Sequence, residues 1–477
     1  MTATHPDETL AAPGAHAEIV ARLVADLGPD VIHAGERVDI ARHRQDMVNT
    51  MPDHVVIPAV AYPRNTADVS RVLAICNEGR MPVVPQGGLT GLAAGALADR
   101  PALLLAMERM RGIEELDSDG RTITVLAGTV LEAVQQAADE ADLFFPLDLG
   151  GRGTAQIGGN ASTNAGGNRV LRYGMMRDSV LGLEAVLPDG TVVTSLNRML
   201  KNNAGYDLKH LFIGSEGTLG VITRLVLRLF PKPRSQSTAL VKVANFAGAL
   251  ALLREANAAL GGNLAAFELM WPEFYALGTT ALGRTPPMPG DNGILVLVEA
   301  LGSDAARDPE RFEEVITDFL ERGVIANAVL AQSERQRREL WAIRDCPGEF
   351  AKAGHWPQMG FDVSFPIGSI GAFADMMCAR LKERWPELVT VRFGHLGDSN
   401  LHLSLRDPSG TIPEVEIEAF VYEHVGQWGG SITAEHGIGS LKREFLHHSR
   451  TPAEIALMKT LKAAIDPNGI LNPGKVI

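Results

Sequence analysis

Cysteine is scarce in this sequence. Only Cys76, Cys346 and Cys378 occur, far apart and without a C-x-x-C pair. That excludes a cysteine-ligated iron–sulfur cluster carried by this chain alone and fits a reducing compartment. Basic charge is also short, since 44 Lys and Arg against 57 Asp and Glu leave a formal charge of −13. A nucleic-acid footprint needs a basic face, so no nucleic-acid partner is expected, and any anionic ligand must be held by local groups. Long apolar runs are missing too. None reaches the roughly eighteen residues that a membrane helix needs, and "MTATHPDETLAAPGAHAEIV" has no basic region followed by an apolar core. No transmembrane segment and no secretory leader are expected, and the cytoplasm is the default location.

At 477 residues the chain exceeds what one hydrophobic core usually supports, so at least two domains are expected. Residues 1–50 read as a polar leader and a helix, "AEIVARLVADLG", stopped by Gly28 and Pro29. Residues 51–235 open with strand, proline-containing loop, helix and strand, and Asn65 or Thr66 is placed to cap a helix whose apolar face is Val69, Val72, Leu73 and Cys76. The prolines of "FPKPRS" mark a boundary near 231–235. From 236 to 425 longer helical patterns alternate with strands, which reads as an α+β substrate domain. Residues 426–477 form a C-terminal segment with one more glycine-rich turn.

Two glycine-rich loops stand out, "PVVPQGGLTGLAAGAL" at 82–97 and "GGRGTAQIGGNASTNAGGN" at 150–168. Bare amides in such turns approach a pyrophosphate where a Cβ would intrude. Either loop alone is equally well explained by tight turns in a β-rich domain; together they point to a dinucleotide. No G-x-G-x-x-G follows a first strand and opens a helix, so the arrangement is not Rossmann.

A second pattern lies near the C-terminus. "VRFGHLGDSNLHLSLR" alternates apolar and polar residues on both sides of the turn formers "GDSN" and reads as two strands joined by a loop, which lets His395 and His402 converge. On the returning strand His402 and Ser404 share one face, and Leu401, Leu403 and Leu405 face the core. Two imidazoles and a carboxylate suit Zn²⁺ or a similar ion and leave positions open for substrate. Glu435, followed at once by His436, is the strong candidate carboxylate, and Asp398 is the alternative although it sits in the turn.

Taken together, "VVPQGGLTGLAAGA", "GGNASTNAGGNRVLRYG", "GSEGTLGVIT", "GHLGDSNLH" and "AEHG" resemble the vanillyl-alcohol oxidase superfamily, in its branch of D-lactate and D-2-hydroxyglutarate dehydrogenases, over residues from about 50 to 477. The resemblance implies an α+β architecture: a PCMH-type FAD-binding domain, an α+β substrate (cap) domain and the C-terminal segment. It implies FAD contacts from Pro85, Gln86, Gly87, Gly88, Leu89, Thr90 and Gly91 in the first loop and from Gly158, Gly159, Asn160, Thr163, Asn164, Gly166 and Gly167 in the second. Gly217, Val221, Ile222 and Asn472 are implied as further contacts. Relatives with covalent flavin often use a histidine in the first loop; Gly88 and Leu89 stand here, so noncovalent FAD is expected. By position, His395, His402 and Glu435 become the metal ligands, His436 the base, and Arg344 of "WAIR" the substrate arginine.

The implied chemistry is coherent. A 2-hydroxyacid on the metal has a more acidic hydroxyl, His436 takes its proton, and the hydride on C2 goes to the flavin. Relatives acting on 2-hydroxyglutarate resemble K-x-D-x-S-x-P, but "GFDVSFP" puts Gly360 at the lysine's place, and Ser404 replaces an expected asparagine. A differently shaped 2-hydroxyacid is therefore conceivable, with D-2-hydroxyglutarate and D-lactate as the leading substrates, and His355, Trp356 and Gln358 are placed to reshape the pocket. With no cluster cysteines, electrons are expected to leave to an electron-transfer flavoprotein or a quinone, and a homodimer is compatible with the resemblance. Two other readings are a metal-dependent hydrolase using the His/His/Glu set, which has no use for the glycine loops, and an acid-binding flavoprotein without catalysis.

Overall fold

The computed structural model describes residues 13–290, 292–353, 358–411 and 414–477. His355 and Trp356, like the first twelve residues of the leader, lie outside them. The chain divides into two compact units, one of residues 1–166, 175–231 and 435–477, the other of 167–174 and 232–434.

The first unit is built on two sheets. In the smaller, the strands run in the order Ile32–Ala34, Ala59–Ala61, Leu103–Ala106, Val83–Gln86, with the last three parallel. The helix Thr66–Glu78 connects two of these strands. Its first free amides are satisfied by Asn65, whose side chain accepts from the N–H of Asp68, and it buries Val69, Val72, Leu73, Ile75 and Cys76. The larger sheet is antiparallel, in the order Ile113–Asp117, Thr122–Leu126, Val221–Arg228, Val180–Val186, Val192–Ser195. One core joins both sheets and includes Ile470 and Leu471 of the C-terminal tail. The tail is held in place by main-chain bonds on both sides of Val83.

The second unit is a seven-stranded antiparallel sheet, in the order Asn327–Leu330, Ser235–Val243, Ile294–Gly302, Leu264–Met270, Val389–His395, Asn400–Arg406, Gln358–Ser364. Helices Phe246–Leu260 and Glu334–Arg344 start at Asn245 and Ser333, each of which caps its helix through its side chain. The two histidine strands are joined by a tight turn over Leu396–Asp398, and Ser399 takes a left-handed φ of 76° to close it. A Cβ at Gly394 would stand 2.4 Å from the Asn400 carbonyl oxygen, so only glycine lets the strands close there. Leu401, Leu403 and Leu405 are fully buried on one face. His402, Ser404 and Arg406 alternate with them on the other.

Candidate active site

In the first unit the strand Val83–Gln86 runs into the first glycine loop, where Leu89 and Ala94 both take a left-handed φ of 55°. The two glycine loops lie against each other. A Cβ on Gly88 would fall 2.0 Å from the Thr154 carbonyl oxygen, and one on Gly217 would fall 3.2 Å from the Pro85 ring. Beside these contacts is open space: at Gly91 and Gly159 an added Cβ would meet nothing within 4 Å among the described residues. Gln156 and Asn160 of the second loop, and Asn472 of the C-terminal tail, each carry a buried amide oxygen that finds no hydrogen-bond partner among the described residues. A bare-backbone cradle with acceptors awaiting donors suits a ligand rich in hydroxyl and N–H groups, as FAD is.

Not every residue expected at the cofactor turns its side chain that way. The Gln86 side chain lies behind the loop, where Oε1 is 2.8 Å from His43 Nδ1 and Nε2 donates to the His43 and Ala96 carbonyls. His43 Nε2 in turn lies 2.8 Å from the Tyr62 hydroxyl. Gln86 Oε1 can only accept, so the His43 proton sits on Nδ1 and the loop is held from behind by a fully paired network. Val221 and Ile222 bury their side chains in the core. Thr163 donates to the Gly159 carbonyl within its own turn. Asn164 takes a left-handed φ of 51°, and Gly167 belongs to the second unit.

Glu216, absent from the sequence-derived site, links four segments of the first unit. Its carboxylate accepts from the N–H groups of Ile438 at 2.8 Å and Gly439 at 2.9 Å. Its own N–H donates to the Ser162 carbonyl, and its carbonyl accepts from Asn472 Nδ2 at 2.7 Å. Asn472 also donates to the Gly95 carbonyl. Burial pushes the Glu216 carboxyl up, against the pull of the two amides and of Lys442 and Lys475. Its left-handed φ of 52° marks a strained residue held by its surroundings. In effect Glu216 fixes the "HGIG" loop, which begins at His436.

In the second unit His395 and His402 come together, with ring centroids 5.4 Å apart and the rings nearly perpendicular. His402 pairs across the sheet with Asp362, and a ring nitrogen of the one lies within 4.8 Å of a carboxylate oxygen of the other. Asp362 is fully buried and accepts from Asn400 Nδ2, from the Thr433 hydroxyl and from the Ala434 N–H, each at 3.1 Å. Glu435 and His436 are the next two residues of the chain. They belong to the first unit. A buried carboxylate beside an imidazole fits the donor set of a divalent ion.

His395 has partners of another kind. Its Nδ1 lies 2.9 Å from Glu268 Oε1, and its Nε2 lies 2.8 Å from Arg344 Nη2. Arginine only donates, so Nε2 is the acceptor and the proton sits on Nδ1. Arg344, the last residue of its helix, also donates from Nε to Glu268 at 2.7 Å and sits over the Phe393 ring. Burial alone would raise the Glu268 carboxyl, but His395 and Arg344 more than offset it and hold the group below the ordinary range. The expected substrate arginine and the expected ligand His395 are thus joined in a buried triad with Glu268. The other arginines of that helix, Arg335, Arg337 and Arg338, pair with Glu334 and Glu339 of the helix itself.

Two family models match the chain. One, a FAD binding domain, covers residues 57–195, and the other, the C-terminal domain of FAD linked oxidases, covers 232–476. A putative mitochondrial D-lactate dehydrogenase of Schizosaccharomyces pombe is 40% identical over 87% of this chain and 81% of its own length. The mitochondrial D-2-hydroxyglutarate dehydrogenase of Bos taurus is 39% identical over 87% and 76%, and a D-2-hydroxyglutarate dehydrogenase of Stutzerimonas stutzeri is 35% identical over 88% and 90%. Among solved structures, p-cresol methylhydroxylase with substrate bound aligns with a TM-score of 0.77 at 16% identity, covering 98% of this chain and 97% of its own. The 4-ethylphenol oxidase of Gulosibacter chungangensis aligns with a TM-score of 0.76 at 19% identity, covering 99% and 98%. These two show the same fold.

The cytoplasmic default is corrected by these relatives, since the fission-yeast, bovine, rice and Arabidopsis proteins are mitochondrial. Few cysteines speak to redox environment and not to cellular address. Among the described residues no helix is long and apolar enough to cross a membrane.

Proposed function

Because the chain belongs to the family of FAD-linked D-2-hydroxyglutarate and D-lactate dehydrogenases, we propose that it oxidises a D-2-hydroxyacid to the 2-oxoacid with the help of a divalent ion, zinc by its ligand chemistry, and passes the electrons to a separate carrier such as an electron-transfer flavoprotein or a quinone. Family membership makes it an FAD-dependent oxidoreductase with a PCMH-type FAD-binding domain; the ion, the acceptor and the residue roles are what we propose. One observation supports the proposal: within the second unit the buried Asp362 carboxylate is set against His402, with the His395 ring beside it, as a divalent-ion site requires; Glu435 and His436 take their roles from the resemblance.

The two glycine loops and Asn472 would hold FAD, which when bound would supply the acceptor for the electron pair and hydrogen of C2. His402 and Glu435, with His395 as third ligand, would hold a divalent ion, whose charge would acidify a hydroxyl placed beside it. The His436 imidazole takes the hydroxyl proton, so the carbon–oxygen bond becomes a carbonyl as C2 loses its hydride. Were His395 to ligate an ion through Nε2, Arg344 would give up its bond to that nitrogen, and a guanidinium N–H would become available for the substrate's carboxylate. Ser404, on the same strand face as His402, offers a hydroxyl to the bound acid.

The test is anaerobic. Flavin absorbance of the holoenzyme is followed with D-lactate, D-2-hydroxyglutarate and D-malate. We expect at least one acid to bleach the flavin, chelation to stop the bleaching and zinc to restore it. FAD-loaded, zinc-loaded protein whose spectrum none of the three acids changes would overturn the proposal.

A further inference from the structure

Where the second glycine loop ends, the chain makes a short excursion. Its neck is pinned inside the first unit: the Met176 N–H donates to the Ala165 carbonyl at 2.8 Å, and the Arg177 N–H donates to Asn164 Oδ1 at 2.9 Å. Between these ties run residues 167–174, "GNRVLRYG", which belong to the second unit. The single helical turn Val170–Tyr173 forms the tip. There Arg172, whose guanidinium lies over the Tyr173 ring, donates to the Leu301 carbonyl and, at 3.4 Å, to that of Asn263. One acceptor lies in the strand Ile294–Gly302, the other immediately before the strand Leu264–Met270 that carries Glu268. With the tip held in this way, the Leu171 side chain packs on the turn between the two histidine strands. A Cβ added at Gly397 would stand 2.8 Å from Leu171 Cδ2, 3.1 Å from Cδ1 and 3.3 Å from Cγ, its three nearest neighbours. Gly397 has no left-handed φ, so its bareness answers to Leu171 and not to the backbone conformation.

We infer that Leu171 is a positioning residue: it occupies the place of a side chain at Gly397 and so sets the turn that fixes His395 against His402. The turn spans Leu396–Asp398, directly after the first histidine, and the two imidazole centroids on either side of it lie 5.4 Å apart. Metal sites need their ligands held to within roughly 0.5 Å. A radial gap of about 0.5–1 Å already forfeits a quarter to a half of a packing contact, so a shortened Leu171 lets the turn move and the ligand spacing with it. The inference rests on the divalent-ion reading for what the two histidines hold.

Zinc affinity against a competing chelator tests it without turnover. It is measured on FAD-loaded protein for the wild type, Leu171→Ala, Gly397→Ala, the double variant and Ile316→Ala. We expect Leu171→Ala and Gly397→Ala each to weaken zinc roughly tenfold, the lower end of what lost support around metal ligands costs. In the double variant the new methyl group enters the space that Leu171 vacates, so the two losses should not add, and affinity should return to within about threefold of wild type. Ile316 is the control for general loosening. It is buried in the helix Arg307–Glu321, which packs on the strand Ser235–Val243, three places from the first histidine strand. Ile316→Ala should lower the urea midpoint and leave zinc affinity unchanged. Wild-type affinity in Leu171→Ala, additive losses in the double variant, or an equal loss in Ile316→Ala overturns the assignment. A wild type that binds no divalent ion refutes the ion reading itself, and the role of Leu171 falls with it.

Discussion

Asp362 Oδ2 accepts the main-chain N–H of Ala434 at 3.1 Å. The same carboxylate also takes Asn400 and Thr433, so one buried charge orders both the histidine strand and the segment leading into Glu435 and His436.

Removing that carboxylate should cost more than one bond. Asp362→Ala leaves the buried Asn400 amide without this acceptor, at about 1–3 kcal/mol, takes the acceptor of the part-buried Thr433 hydroxyl, and leaves the Ala434 N–H only the main-chain carbonyl of residue 362, which loosens the start of the "AEHG" segment. We expect zinc affinity, measured against a competing chelator, to fall roughly 10- to 100-fold, the usual effect of losing a residue that orients metal ligands. Asp362→Asn keeps one acceptor oxygen and should sit between. Wild-type zinc affinity in Asp362→Ala would remove this residue from the site.

Acid stability tests the buried triad. The Glu268 carboxyl is held below its ordinary value of 4.5, so the folded state binds its proton more weakly than the unfolded one. The stabilisation is therefore present above about 4.5 and is lost as pH falls through the depressed folded-state value. Glu268→Gln should cost about 3–5 kcal/mol near neutrality, the price of leaving one buried charge unpaired. The difference between wild type and variant in urea midpoints should shrink only below pH 4.5. A difference independent of pH down to 3 would mean that Glu268 is not ionised in the fold.

The "HGIG" loop gives two contrasting variants. His436→Ala should slow flavin reduction roughly 100- to 10,000-fold while zinc and FAD stay bound, because only proton transfer is removed. Glu216→Gln replaces one of two acceptor oxygens with a donor aimed at an amide N–H, so the loop shifts and the rate falls, but the histidine is still present. A small external imidazole should therefore rescue His436→Ala and not Glu216→Gln. Rescue of both, or of neither, would not fit a base held in place by Glu216.

Much of the fold could be read from local pattern. Asn65 and the spacing of Val69, Val72, Leu73 and Cys76 announce their helix, and "GDSN" between alternating runs announces the paired histidine strands. What could not be read rests on contacts distant in sequence. Asp362 looks like any polar residue on a strand until register sets it against His402 and 72 residues later against Ala434. Glu216 meets Ile438 across 222 positions. Arg344 is legible as the arginine of a W-x-x-R pattern, three residues after Trp341, but its engagement with Glu268 and His395 depends on the order of strands in the sheet. Residues 167–174, continuous in sequence with the second glycine loop, fold with the other unit.

The glycine loops can be tested at a single atom. A methyl group at Gly88 would fall 2.0 Å from the Thr154 carbonyl oxygen and 3.0 Å from the Ala155 Cα, all main chain, so no side chain can yield and the two loops must separate. Gly262 is the control, since a Cβ there meets nothing within 4 Å among the described residues, and Gly262→Ala should change stability by less than about 0.5 kcal/mol. For Gly88→Ala we expect FAD affinity, read by flavin fluorescence on dilution, to drop at least tenfold, about 1.4 kcal/mol. The second unit's core does not involve these loops, so much of the secondary structure should survive in circular dichroism. Full FAD retention in Gly88→Ala would mean that the approach of the two loops is not what holds the cofactor, and the three amide oxygens of Gln156, Asn160 and Asn472 would then carry the binding.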